Sequence, residues 1–92
     1  MIQKDRNDAI MVRIVMVEND GTEKLVCCYY TTAIDQTLRM FLTAKECEVE
    51  CRFNEFSSEI SESLLQSTYY VEDVNIIIGT NSDIAAIEVL IR

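Results

Sequence analysis

From Ile10 to Val17 the chain is almost unbroken in apolar side chains, Ile10-Met11-Val12-Arg13-Ile14-Val15-Met16-Val17. β-Branched residues dominate the run, which suits a buried strand with Arg13 marking an outward position. Asp20-Gly21 separates it from a second run, Lys24 to Thr31. Asp-Gly between two such runs predicts a hairpin, because glycine reaches the positive φ the turn needs. The spacing then changes. Ile34, Leu38, Phe41 and Leu42 recur at i, i+4, i+7 and i+8, which predicts an amphipathic helix over 33–46 laid across the hairpin. Thr31-Thr32 offers its N-cap, and Asp35 falls in the first turn, where the helix dipole favours a negative charge.

Residues 48–56 alternate, which predicts a half-buried strand. Val49, Cys51 and Phe53 share one face, and Glu48, Glu50, Arg52 and Asn54 the other. The serine-rich stretch 57–63 reads as a turn with a short helical segment reaching Leu64-Leu65. Val74–Ile78 is a strand and Gly79–Asp83 a turn. For 84–91 there are two readings: a helix capped by Ser82 or Asp83 through Ala85-Ala86, or a strand, which the β-branched end from Ile87 to Ile91 favours. Residues 1–9 are expected to be a flexible lead, and 10–92 a single domain. The predicted fold class is α+β: an N-terminal β-hairpin, one amphipathic helix packed across a mixed sheet, and further C-terminal strands.

Charge narrows the function. Sixteen acidic residues against eight basic ones give a net charge of −8, which repels phosphate backbones and anionic lipid. Neither direct nucleic-acid binding nor membrane binding is expected, and a basic protein surface is the favoured kind of partner. No apolar segment behind a basic one opens the sequence, and no apolar stretch is long enough to span a bilayer, so the expected location is cytoplasmic or nuclear. The chain has no histidine, which leaves serine and cysteine nucleophiles without their usual base. Two glycines build no phosphate-cradling loop, and the carboxylates lack the order of a calcium loop. No enzymatic activity, cofactor or metal is therefore expected. Cys27, Cys28, Cys47 and Cys51 lack paired zinc-ligand spacing and read as reduced thiols serving as small hydrophobes, with zinc or a disulfide as the lesser alternatives.

The order hairpin, helix, strand, turn-rich segment, final strand resembles the ubiquitin-like β-grasp, with small ubiquitin-like modifiers nearest. Thr31-Thr32-Ala33-Ile34 is similar to their Thr-Thr-x-Leu helix entry, and Arg52-Phe53 to the opening of their third strand. Glu72-Asp73-Val74-Asn75-Ile76 resembles the acidic lead into their last strand. The resemblance covers roughly residues 10–78. The sequence departs from the pattern in a short link after the helix and in ending Glu88-Val89-Leu90-Ile91-Arg92, without Gly-Gly, so the expectation is a module that is not conjugated. Two registers stay open for the last strand, Val74–Ile78 or Ile87–Ile91.

The resemblance implies a partner peptide that adds a strand along strand two, in a groove beside the helix, with Val26, Cys28, Tyr30 and Arg39 as the partner-binding residues. The expected function is thus a non-catalytic protein–protein interaction module. One alternative is an acidic inhibitor that mimics nucleic acid and blocks a basic nucleic-acid-binding enzyme. Another is a homo-oligomer assembled through a strand edge.

Overall fold

A computed structural model of the chain describes residues 9–53 and 67–92. Residues 1–8 of the expected lead, the end of the alternating run at 54–56 and the serine-rich turn lie outside the described residues. Strands β1 (Ile10–Val17) and β2 (Glu23–Thr31) form the antiparallel hairpin, followed by helix α1 (Ile34–Cys47). Then come β3 (Cys51–Arg52), β4 (Thr68–Tyr69), β5 (Val71–Ile78) and β6 (Ile84–Ile91). The main sheet has the order β2-β1-β6-β5, and β3 and β4 form a small antiparallel ladder of their own. With α1 packed across the mixed sheet, the architecture is α+β.

Segment 84–91 is a strand, and a central one. It runs parallel to β1, from Met11 opposite Ala86 to Met16 opposite Ile91, and antiparallel to β5 on its other side. The last strand is therefore Ile84–Ile91, while Val71–Ile78 is the edge strand before it among the described residues. A strand flanked on both sides suits β-branched residues, and Ile87, Val89 and Ile91 are fully buried on the helix side with Val12, Ile14 and Phe41. Tyr70 and Arg92 exchange both backbone hydrogen bonds at 3.0 Å and carry the β5–β6 ladder one pair further.

The helix covers the sheet with a stripe rotated from the predicted one. Thr37, Phe41 and Ala44 are buried and Ile34 and Leu38 pack against them, whereas Leu42 is 40% exposed. Leu42 stands about 100° around the helix from Phe41, past the edge of the buried stripe. Neither threonine caps α1. Ala33 holds the N-cap position with no side-chain bond, and Thr31 Oγ1 instead accepts the Ala33 N–H at 3.0 Å, closing the end of β2.

In the described part of the strand predicted from Glu48, only Cys51–Arg52 is strand. The cause is the end of the helix: Glu48 adopts φ 52°, its N–H reaching Lys45 O at 3.3 Å, and the Val49 N–H reaches Ala44 O at 3.1 Å. This is a Schellman-type stop, which spends Glu48 and Val49 on capping carbonyls and leaves Val49 in solvent rather than on an inward face. Phe53 does turn inward, with its ring centroid 4.7 Å from that of Tyr69 on β4.

Candidate interaction surfaces

β2 lies at one end of the main sheet. β1 pairs along one side of it, and among the described residues no strand lies along the other. Alternation along β2 places Val26, Cys28 and Tyr30 on one face, but the register breaks between Ile14 and Val15: Ile14 faces Cys27 and Val15 faces Leu25. Val26 is the extra residue of a β-bulge, and a bulge turns two successive side chains the same way. Val26 therefore packs with buried Cys27 against the core, while Cys28 and Tyr30 remain on the face away from the helix, opposite Arg13 and Met11. Tyr30 is 70% exposed and Leu25, just before the bulge, 51%.

Arg39 sits elsewhere. Leu38, Leu42 and Lys45 form one stripe of α1, and Lys45 Nζ lies 3.2 Å from Asp73 Oδ1 on β5. Arg39 lines a shallow concavity with Asp35, Leu38, Leu42, Thr43 and Glu46, and it stands about 160° around the helix from buried Phe41, on the outward side. α1 lies nearer to β5 than to any other strand, at the opposite edge of the sheet from β2. Of the four partner-binding residues expected, the structure brings Cys28 and Tyr30 together and places Val26 and Arg39 on different surfaces.

The face away from the helix holds features the sequence left unread. Register sets Cys28, Arg13, Glu88 and Asn75 in one row across four strands. Arg13 Nη1 stands 3.5 Å from Glu88 Oε2, and Asn75 Nδ2 donates to Glu88 Oε1 at 3.3 Å. On one side of this polar row lie Tyr30, Met11, Ala86 and Ile77, and on the other Leu25, Val15 and Leu90. The signal was available: Arg13 interrupts β1, and Glu88 interrupts β6.

Among the described residues β5 forms the second edge, and Ile76, Ile77 and Ile78 at its C-terminal end are all exposed. Two carboxylates are held below the usual aspartate range. For Asp20 the main cause is the Thr22 hydroxyl, 2.7 Å away, followed by the Thr22 N–H. For Asp73 it is the Val74 N–H at 2.9 Å, then Lys45. No disulfide joins the four cysteines, of which Cys27 is buried and Cys47 exposed. Among the described residues no three histidine, cysteine or acidic side chains gather as a metal-ligand set. No helix there is long and apolar enough to cross a membrane.

No protein-family model, no curated protein and no solved structure matches this chain. The interaction surfaces accordingly rest on the geometry above.

Proposed function

We propose that this chain is a non-catalytic recognition module of β-grasp type that binds a partner protein by adding the partner's extended segment to the β2 edge. The open side of β2, with Tyr30 and Leu25 projecting beside it, carries the reading. Backbone N–H and C=O groups along such an edge supply affinity, and the side chains at alternate positions supply specificity. Tyr30 is suited to the second part, since its ring buries apolar area while its hydroxyl keeps a hydrogen bond. The β-grasp assignment draws support from the central parallel pair β1–β6, the hairpin partner β2 on one side and α1 across the sheet. In this reading Cys28 contributes beside Tyr30, Val26 supports the strand from beneath, and Arg39 stands apart on the outward side of α1.

Site-specific photo-crosslinking tests it. A benzophenone side chain at position 30 is expected to yield a discrete adduct in cells, and one at position 81, in the β5–β6 turn, is not. An adduct from 81 with none from 30 overturns the β2 assignment.

A further inference from the structure

The two edges of the main sheet are guarded differently. Natural edges are blunted by lysine, proline, inward charges or bulges. β2 carries Glu23, Lys24 and the Val26 bulge. β5 begins in the same way, with Glu72, Asp73 and a register break between Val71 and Asp73. Its far half has a register break too, between Ile77 and Ile78, but the extra residue there is Ala85 on β6. On β5 itself Ile76, Ile77 and Ile78 follow one another without charge or proline, exposed by 44%, 44% and 57%. Three β-branched residues in solvent on an edge form a template for another strand.

We infer that the C-terminal half of β5 is a second docking edge, and that its occupant is an extended segment of another protein with alternating apolar residues followed by lysine or arginine. Charge argues for the basic end. Glu72 on β5 is exposed. Lys45, the cation that α1 sets against that end of β5, is already paired with Asp73. Antiparallel addition is the more stable geometry per residue and brings the segment's C-terminal end to Glu72. The net charge of −8 draws such a segment in from a distance.

A second copy of the chain fits the edge poorly. Both copies carry −8, and pairing centred on Ile77 ends at once in the Gly79–Asp83 turn. Only a few residues per copy then meet, far short of the ~800 Å² per partner of a standard stable interface. This site is independent of the β2 edge.

Nitrogen-15 amide spectra test the inference on the full chain, with a capped synthetic peptide Thr-Val-Thr-Val-Thr-Lys-Lys as probe. Titration is expected to shift amides of Val74–Ile78 and slow their exchange while leaving Leu25–Thr31 still. A Glu-Glu-ended peptide should bind at least about tenfold more weakly, and Glu72→Lys should narrow or reverse that preference. Ile77→Lys should abolish the shifts with the melting midpoint unchanged. If that variant melts early, the Glu72→Lys comparison alone decides. Shifts confined to Leu25–Thr31, equal binding of both peptides or no shifts at millimolar peptide would overturn the proposal. So would β5 shifts that grow with protein concentration alone, the mark of a second copy; the β2 edge is judged separately, by crosslinking from position 30.

Discussion

Gly21 and Ser82 occupy the same place in two turns with the same hydrogen bonds. In the first, the Glu18 N–H reaches Thr22 O at 2.8 Å and the Gly21 N–H reaches Glu18 O at 2.9 Å. In the second, the Gly79 N–H reaches Asp83 O at 2.7 Å and the Ser82 N–H reaches Gly79 O at 3.1 Å. Both turns need positive φ at the fourth residue, 91° at Gly21 and 66° at Ser82. Only glycine adopts that region without penalty. Ser82→Gly is expected to raise stability by ~0.5–1 kcal/mol, a rise of a few degrees in melting midpoint. A Cβ at Gly21 would meet nothing within 4 Å, so Gly21→Ala reports the backbone term alone and should cost about 1 kcal/mol. Thermal melts of the two variants check both signs, and a stabilised Gly21→Ala would refute the shared turn geometry.

Glu48 repeats the situation at a helix end. Its φ of 52° stops α1, and the side chain is solvent-exposed, so nothing from packing offsets the strain. Glu48→Gly is expected to stabilise by about 1 kcal/mol, and Glu48→Val to destabilise by a similar amount. Urea titrations with an unchanged slope would attribute the change to the native state.

These positions also show where the chain was legible. β1, the Asp20-Gly21 turn, β2 and α1 follow local signals, apolar period and turn chemistry, that need no knowledge of neighbours. β6 as a strand was legible for the same reason, but its place between β1 and β5 was not, because parallel pairing is long-range. Local alternation misread Glu48 and Val49, whose backbone groups were needed to end the helix. It also misplaced Val26, since a bulge leaves no mark in the order of residue types. Alternation kept Cys28 and Tyr30 on one face of β2, but that face is turned away from the helix, not into a groove beside it. The outward position of Arg39 on α1 was not legible, because which side of a helix turns to the sheet is fixed only by packing.

The rotated helix stripe gives a contrast between neighbours. Phe41 is 1% exposed and sits in the core, while Leu42 beside it is turned largely to solvent. Phe41→Ala should cost ~3–5 kcal/mol, whereas Leu42→Ala should stay within about 0.5 kcal/mol. Equal losses in chemical denaturation would mean that the stripe predicted from spacing, with Leu42 inward, was right after all.

Lowering the pH should separate the two aspartates from the many other acids. Asp20 and Asp73 have folded-state pKa values below the ordinary 3.8, so each adds stability that is fully present above 3.8 and is lost as the pH falls through the folded value. Between pH 7 and 4 the opposite trend acts, because protonating some of the sixteen acidic residues relieves the repulsion of a chain at −8. The melting midpoint should therefore hold or rise down to about pH 4 and drop below it. The variant Asp20→Asn with Asp73→Asn should flatten the drop while leaving the rise. Lys45→Met separates the causes at Asp73. The largest, the Val74 N–H, survives this change, so the Asp73 carboxyl followed by carbon-13 NMR should rise only part of the way to 3.8. A full return would mean that Lys45 alone holds Asp73 ionised, and that the β5 edge has no carboxylate fixed by its own backbone.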